Sequence, residues 1–318
     1  MRAVTIVEPG RLEVTEHADP QPGTGEALVR VHAAGLNGAD LMQLKGMYPA
    51  PPNSPPDIPG LEFAGEVMAV GPASTRFAPG DAVMAVVGGG GQAELISAHE
   101  RTLLPVPHGI DWVQAGGFAE TFTTAHDALF TQAGLRMGER VLINGAAGGV
   151  GVAAVQLAVR AGARVTASVR AESLRDQVQA LGAEAVIAPG ELAAAGPFDV
   201  ILELVGAPNL AADIAALATR GRIVVIGIGA GARTEIDLRA LMGKRGQVMA
   251  STLRARPLEE KALCARRLEV EVLPLLASGL VHVPVAARFA LHDAERAYER
   301  FTAGAKFGKV VIEVIRGD

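Results

Sequence analysis

The sequence predicts an α/β protein in which a doubly wound parallel sheet is joined to a β-rich lobe. Two observations predict it. Between residues 139 and 227, short apolar strands alternate with helix-like segments, which is typical of a parallel sheet covered by helices on both faces. Residues 1–70 instead contain short β-rich segments separated by Pro and Gly, which indicates a compact β-rich lobe.

The β-rich lobe is predicted from the first elements of the chain. Its strands are expected at residues 2–7, 12–15, 27–34 and 66–70. The stretch 48–59 is too rich in proline for a helix or a central strand. We therefore expect an exposed connection there, at the border of a pocket.

The parallel sheet and the tail follow from the same reading of apolar periodicity. The elements expected in the middle of the chain are strand 139–144, helix 152–160, strand 164–169, helix 173–181, strands 184–188 and 199–204, helix 209–218 and strand 222–227. Those expected in the tail are helix 258–276, extended segments 279–285 and 287–291, helix 293–302 and strand 309–315. The tail is predicted to return to the first lobe, which leaves a cleft for ligands between the two lobes.

The glycine-rich turn from Gly145 to Gly151 carries the clearest chemical signal. It lies between a predicted strand and a predicted helix, where backbone N–H groups and the positive end of a helix dipole suit a pyrophosphate. The turn departs from the G-x-G-x-x-G pattern because Ala146 occupies the place of its first glycine. A buried turn without a ligand is the alternative, and the alternating strands and helices favour a dinucleotide.

The end of the second strand of this region bears on the choice of dinucleotide. An NAD site would place an acid there, whereas this chain reads Ser168-Val169-Arg170. A guanidinium suits the 2′-phosphate of NADPH, so the sequence favours NADPH over NADH. Alternatively, Arg170 is a solvated charge at the end of a strand.

Composition agrees with an enzyme and argues against other classes of protein. The chain has 318 residues, of which 49% are hydrophobic, and a formal net charge of −5 without a basic face for nucleic acid. Its single cysteine, Cys264, excludes a cysteine-built zinc site, and its seven histidines are scattered. The apolar run 141–159 is interrupted by glycines, and the start of the chain lacks an apolar signal stretch, so we expect a soluble cytoplasmic protein.

Six segments together resemble the medium-chain dehydrogenase/reductases, in particular their zinc-free quinone oxidoreductase branch. They are AGLNGAD at 34–40, GMYP at 46–49, IPGLEFAG at 58–65, ETFTTA at 120–125, AAGGVG at 146–151 and STLRAR at 251–256. The resemblance spans the whole chain. It implies a GroES-like catalytic domain built from residues 1–118 and 256–318, and a Rossmann NADP(H)-binding domain at residues 119–255.

The resemblance also implies that no metal takes part. Zinc-dependent members hold their catalytic zinc partly through a Cys and a His, and the corresponding places look like Asn37 and Leu61 here. Their second zinc lobe carries four cysteines, where this chain has four glycines at 88–91. Because a quinone is electrophilic without a Lewis acid, the function expected is NADPH-dependent hydride transfer to a quinone.

Two other functions remain open on the same scaffold. One is reduction of an enal, an enone or an enoyl thioester, and the other is NADPH binding by a sensor or regulatory protein with little turnover. The resemblance further implies a homodimer. Strand 222–227 is expected near an exposed sheet edge, where it would pair across a twofold axis.

The resemblance assigns roles to individual residues. Those expected to bind the cofactor are Ala147, Gly148, Gly149 and Val150 at the pyrophosphate, Ser168 and Arg170 at the adenosine phosphate, and Thr124 and Gly227 near the nicotinamide. Asn37 and Tyr48 are expected to border the reacting ring. Asn37 fits equally well as the cap of a local turn, Tyr48 as a packing residue, and Asp40 as a stabiliser of a helix start or a handler of protons.

Overall fold

The computed structural model describes residues 1–315. Its strands are β1 (Arg2–Glu8), β2 (Arg11–Glu16), β3 (Glu26–Gly35), β4 (Glu62–Val70), β5 (Ala82–Val86), β6 (Leu95–His99), β7 (Leu103–Pro105), β8 (Arg140–Asn144), β9 (Arg164–Ser168), β10 (Ala185–Ile187), β11 (Phe198–Glu203), β12 (Leu217–Val225), β13 (Gln247–Ala250), β14 (Val285–Ala290) and β15 (Lys309–Glu313). Short 3₁₀ turns cover Glu100–Thr102, Glu172–Leu174, Pro189–Glu191, Ala207–Asn209 and Leu291–Asp293, and a π-helical turn covers Asp127–Gln132.

The α-helices alternate with strands in the middle of the chain and are sparse at its start. They are α1 (Gly38–Leu44), α2 (Trp112–Gly116), α3 (Ala119–His126), α4 (Gly149–Arg160), α5 (Arg175–Gln179), α6 (Leu192–Ala195), α7 (Leu210–Ala216), α8 (Leu238–Lys244), α9 (Leu258–Glu271), α10 (Leu273–Ala277) and α11 (Ala294–Thr302). Within residues 1–315, no helix is both long and apolar enough to cross a membrane.

The chain forms two compact units. Unit 1 consists of Met1–Thr123, Leu253–Gly304 and the stretch that begins at Lys309, and unit 2 consists of Thr124–Thr252 and Ala305–Gly308. Residues 119–123 and 253–255, which the sequence analysis assigned to the nucleotide-binding domain, thus pack with unit 1. The end of the predicted catalytic domain, residues 316–318, lies outside the described residues.

Unit 1 is built on a seven-stranded sheet in the order β14-β15-β3-β4-β5-β7, with β6 also paired to β3. The central strand β3 is antiparallel to β4, β6 and β15. Its residues Ala27, Val29 and Val31 are fully buried at a period of two, because alternate side chains of a strand point to one face. That face packs in a core with residues such as Phe63 and Val310.

Unit 2 is built on a six-stranded parallel sheet in the order β10-β9-β8-β11-β12-β13. Its core includes Leu142, Phe198, Ile201 and Ile223, from the near-continuous apolar strands that the sequence pattern indicated. The order of strands along the chain reverses between β8 and β11. In open parallel sheets, ligands bind outside the carboxyl ends of the strands at such a reversal. The predicted α/β class with a doubly wound sheet is confirmed.

Three local predictions were wrong. Segment 222–227 is not at the sheet edge, because β13 pairs with β12 and covers it. The helix expected at 258–276 is divided into α9 and α10, with Pro274 in the first turn of α10. Proline cannot donate a backbone hydrogen bond inside a helix, which explains the division. Residues 279–284 form turns and irregular backbone rather than a strand, which begins only at Val285.

Candidate functional site

The glycine-rich turn of unit 2 connects β8 to α4. Gly145 has φ +71°, a left-handed conformation that favours glycine. A Cβ atom on Gly151 would lie 2.5 Å from Gly145 O and 2.6 Å from Ala146 Cα, so only glycine allows the helix to approach the turn this closely. These two glycines fix the path of the turn and place the start of α4 at the carboxyl end of β8.

The start of α4 offers backbone donors to a ligand. Val152 N–H bonds to Gly148 O at 2.8 Å, whereas the hydrogen bonds described for residues 1–315 give the N–H groups of Gly149, Val150 and Gly151 no acceptor. Such groups at the N-terminus of a twelve-residue helix form an anion site. Ala147, which precedes them, accepts a hydrogen bond from Gly308 N–H at 2.9 Å. The turn therefore fits the pyrophosphate of a dinucleotide.

The predicted partners of the adenosine phosphate lie beside this turn. β9 runs parallel to β8 with Ser168 opposite Asn144, and Ala146 N–H donates to Ser168 O at 3.2 Å. Ser168 is buried, whereas Arg170 is exposed just beyond the strand. The structure thus brings Ser168 next to the turn and leaves the guanidinium of Arg170 accessible to a ligand.

Gly227 and Thr124 occupy different surroundings in unit 2. Gly227 follows β12, and its N–H donates to Glu203 O at 3.1 Å. A Cβ atom on Gly227 would lie 2.2 Å from Leu204 O, so this position requires glycine for packing between neighbouring strand ends. Thr124 is buried in α3, outside the sheet. The roles assigned to both residues near the nicotinamide stay predictions.

Asn37 of unit 1 lies in a closed hydrogen-bond network between β3 and α1. Its Oδ1 accepts a bond from Lys309 Nζ at 2.7 Å, and its Nδ2 donates to Glu62 Oε1 at 3.0 Å and to Gly35 O at 3.3 Å. Both donors of the amide are in use, and its oxygen is bound by the Lys309 ammonium. Contact between Asn37 and a reacting ring stays a prediction.

Asp40 stabilises the start of α1. One carboxylate oxygen accepts from Asn37 N–H at 2.8 Å, and the other accepts from Gly60 N–H at 3.0 Å. Complete burial raises the pKa of Asp40 to about 6, and the two hydrogen bonds and the charges of Lys309 and Arg254 limit the rise. Of the two roles considered for Asp40, the geometry supports the structural one.

Tyr48 packs against a buried guanidinium. Arg254 lies 4.9 Å from the centre of the Tyr48 ring, and its Nη1 donates to Tyr48 O at 2.9 Å. Arg254 also donates to Gly88 O at 2.7 Å and to Gln43 Oε1, and burial lowers its pKa below the ordinary value. The packing role foreseen for Tyr48 is thus present in the structure, and a role at the reacting ring stays a prediction.

The charged residues of unit 1 were not identified as site residues from the sequence. Lys309 Nζ lies 2.6 Å from Glu62 Oε1 and donates to Leu36 O at 2.7 Å, and both side chains are buried. The second oxygen of Glu62 accepts from Glu120 N–H at 2.8 Å. The sequence contained one indication of this ion pair. Lys309 begins the apolar strand 309–313, and a lysine buried in such a strand almost always has a charged partner.

The four glycines at 88–91, which the resemblance predicts to replace a cysteine lobe, form a tight loop. Gly90 N–H bonds to Ile58 O at 2.9 Å, and Gly91 N–H bonds to Gly60 O at 3.0 Å. Gly90 has φ +87°, which favours glycine. Among the residues that the structure describes, no three or more His, Cys, Asp or Glu side chains group as metal ligands.

Comparison with known proteins identifies two families along the chain. Residues 23–134 match the Alcohol dehydrogenase GroES-like domain, and residues 149–267 match the Zinc-binding dehydrogenase family. The chain is 30% identical over 327 residues to the quinone oxidoreductase of Rattus norvegicus, which covers 98% of this chain and 97% of that protein. It is 36% identical over 299 residues, 91% of this chain, to 8% of Erythronolide synthase EryA2 of Saccharopolyspora erythraea.

A solved structure agrees with these matches. An alcohol dehydrogenase superfamily protein from Novosphingobium aromaticivorans superimposes with a TM-score of 0.88 at 29% identity, over 99% of this chain and 100% of that one. The predicted GroES-like and Rossmann architectures are confirmed, and the site fits a nicotinamide dinucleotide. The chain therefore belongs to the quinone oxidoreductase branch of the medium-chain dehydrogenase/reductase superfamily of oxidoreductases.

Proposed function

We propose that this chain is an NADPH-dependent quinone oxidoreductase that transfers hydride without a metal ion. The observation that carries the proposal is the free N–H cluster at the start of α4, beside a strand end that presents Arg170 instead of an acid. When bound, NADPH supplies the hydride. The quinone oxidoreductases that the chain resembles supply the expected class of acceptor.

In this proposal, each group of site residues binds a different part of the cofactor or the acceptor. The backbone of Ala147, Gly148, Gly149 and Val150 holds the pyrophosphate, and Arg170 pairs with the 2′-phosphate. Ser168 orients the adenosine end. Thr124 and Gly227 border the nicotinamide, and Asn37 and Tyr48 border the acceptor ring. Water supplies the proton.

Metal independence rests on the side chains that replace ligands. By the resemblance, Asn37 and Leu61 replace the Cys and His of zinc-dependent relatives, and neither is a zinc ligand of the usual kind. In addition, the ammonium of Lys309 occupies the space between Asn37 Oδ1 and Glu62 Oε1. We therefore expect turnover to survive prolonged chelation.

Steady-state oxidation of NADPH tests the function. Rapid turnover with 1,4-benzoquinone and 9,10-phenanthrenequinone is expected, and faster turnover with 2-alkenals, enones or enoyl thioesters would favour the second candidate. The similarity to part of a synthase keeps that candidate open. Tight NADPH binding without turnover on any acceptor would support a sensor or regulatory protein instead.

The substitution Arg170→Asp tests the choice of cofactor. Loss of a charge-assisted hydrogen bond should weaken NADPH by about 1.5–3 kcal/mol, or roughly 10- to 150-fold in dissociation constant, and should leave NADH nearly unchanged. Arg288→Asp is the matched control, because it makes the same change of charge on an exposed side chain of unit 1. Wild-type protein that prefers NADH would contradict the proposal.

A homodimer and a cytoplasmic location complete the proposal. β13 lies at the end of the order of strands in unit 2, and within the described residues it pairs with β12 alone. Leu238 and Met242, one helical turn apart on α8, are largely exposed. An open strand edge beside exposed apolar side chains fits isologous pairing with a second copy.

A further inference from the structure

Two carboxyl groups meet beneath the glycine turn of unit 2. Asn144, the last residue of β8, donates from Nδ2 to Glu203 Oε2 at 2.6 Å and to Asp213 Oδ1 at 2.8 Å. Glu203 is the last residue of β11, and Asp213 lies in α7. None of the three side chains is more than 1% exposed. The cluster is therefore shielded from water at the reversal in strand order.

The two carboxyl groups have very different partners. Glu203 Oε1 accepts from the N–H groups of Val205 and Gly206 at 2.5 and 2.6 Å, and its Oε2 also accepts from Asn209 Nδ2 at 3.1 Å. Four donors thus surround Glu203, as is typical of a charged carboxylate. Asp213 has a single donor, and its Oδ2 has none among the described residues.

Among the residues that the structure describes, no positively charged side chain contacts the pair. The hydrogen bonds and ion pairs of residues 1–315 bring no Lys, Arg or His to Glu203 or Asp213, from β8, β11, α7 or the loop after β11. Burial raises the pKa of Asp213 strongly, and the charge and hydrogen-bonding contact of Glu203 raise it further. Two adjacent buried carboxylates without a cation are unfavourable, and such pairs hold a proton.

We propose that Asp213 is a neutral carboxylic acid that shares its proton with Glu203, and that Asn144, Glu203 and Asp213 are positioning residues for the dinucleotide. The proton gives Asp213 a donor toward Glu203, while its Oδ1 still accepts from Asn144. Asn144 binds both groups from the other side through its two N–H donors. The nucleotide part of this inference rests on the proposed function, whereas the proton does not.

The position of the cluster connects it to the nucleotide site. Asn144 directly precedes the turn that begins at Gly145, and Glu203 holds the N–H groups of the loop after β11. A Cβ atom on Gly145 would lie 3.3 Å from Val205 Cγ2, so the turn and the loop pack against each other. The cluster therefore fixes the spacing of the two loops that flank the crevice for the dinucleotide.

Removal of the proton should disturb both loops. An ionised Asp213 would repel Glu203, which binds the N–H groups of the loop after β11. It would also add a negative potential beneath the pyrophosphate. NADPH affinity should therefore fall above neutral pH, approaching a tenfold loss per pH unit once Asp213 titrates, as expected for binding linked to one proton. Below that range, affinity should be independent of this group.

Two variants separate protonation from simple packing. Asp213→Asn keeps a neutral donor toward Glu203 and an acceptor toward Asn144, so NADPH affinity at neutral pH should stay within about threefold and its alkaline loss should disappear. Glu203→Gln places an amide NH₂ among four N–H donors, so affinity should fall at every pH. An Asp213→Asn variant with the alkaline loss of the wild type would overturn the proposal.

A measurement without nucleotide makes the proton directly visible. Infrared spectra of protein with ¹³C-labelled aspartate and the substitution Asp40→Asn, which removes the other buried aspartate of raised pKa, should contain a buried carboxylic acid band at neutral pH. The band should disappear when Asp213→Asn is added. Its absence while Asp213 is present would refute the shared proton. A band that is present in protein unable to bind NADPH at any pH would refute the proposed function and the positioning role, and would leave the proton itself supported.

Discussion

The buried ion pair of unit 1 allows a quantitative test of how this fold holds charge. Lys309 Nζ and Glu62 Oε1 are 2.6 Å apart, and neither side chain is more than 2% exposed. The change Lys309→Met removes the cation and leaves the carboxylate with Asn37 Nδ2 and Glu120 N–H as donors. Removing one partner of a buried pair costs about 3–5 kcal/mol, because the remaining charge is uncompensated.

A double-mutant cycle isolates the interaction. Glu62→Gln alone should also destabilise unit 1, because its amide NH₂ would face Lys309 or Glu120 N–H. The double variant with Lys309→Met should cost less than the sum of the singles, by about 1–3 kcal/mol, because neither charge is then left alone. Urea unfolding followed through Trp112, the only tryptophan, reports on the unit that holds the pair.

An exposed lysine of the same unit provides the control for Lys309. Lys45→Met removes an exposed lysine of the same unit and should change the free energy of unfolding by less than about 0.5 kcal/mol. Coincident transitions by fluorescence and circular dichroism would justify a two-state treatment. The reasoning is refuted if Lys309→Met lowers the free energy of unfolding no more than the control does, or if the effects of the two single substitutions sum to that of the double variant. The ammonium would then not balance the buried charge of Glu62.

Two further predictions concern pH and assembly. The pKa of Asp40 is raised from an ordinary 3.8 to about 6, so the folded state binds the proton more tightly and stability should fall as pH rises through that window, by at most about 3 kcal/mol. Asp40→Asn should abolish this dependence of unfolding free energy on pH. At pH 7 the substitution should lower that free energy by about 1–3 kcal/mol, because the oxygen of an amide can accept from only one of the two N–H donors. If the pH dependence persists in Asp40→Asn, another group causes it. Sedimentation at micromolar concentration should detect a wild-type dimer and a monomer of Met242→Glu, whereas a wild-type monomer would contradict the proposed edge pairing.

The strands of unit 2 were predictable because their pattern is local and strong. β8 and β11 are rich in apolar residues, and β9 places the buried Val165 and Ala167 two positions apart. β8 and β9 lie within the segments expected from the sequence, and β11 begins one residue earlier than expected, at Phe198. β13 was missed because its four residues include the polar Gln247 and are only partly buried. Because β13 was not predicted, segment 222–227 was wrongly expected at the sheet edge. An edge strand is one that has no further strand paired beside it.

The candidate site was predictable only where its residues are neighbours in sequence. The glycine turn is contiguous, so its spacing and its anion-binding chemistry could be read directly. Lys309 lies 272 positions from Asn37, and Asp213 lies 69 positions from Asn144. No local periodicity encodes such pairs, because the partners meet only after the sheets have formed.

The two buried clusters differ in the sign of the charge beside each aspartate, and this difference determines how they titrate. Burial raises the pKa of Asp40 to about 6, and the backbone N–H groups bound to its two oxygens and the charges of Lys309 and Arg254 limit that rise. Asp213 is buried beside the carboxylate of Glu203, which raises its pKa further. Desolvation is thus common to both, and the neighbouring charge decides whether the group is ionised at neutral pH. Asp40 accordingly serves as a charged helix cap, whereas Asp213 is suited to keep its proton beneath the nucleotide turn.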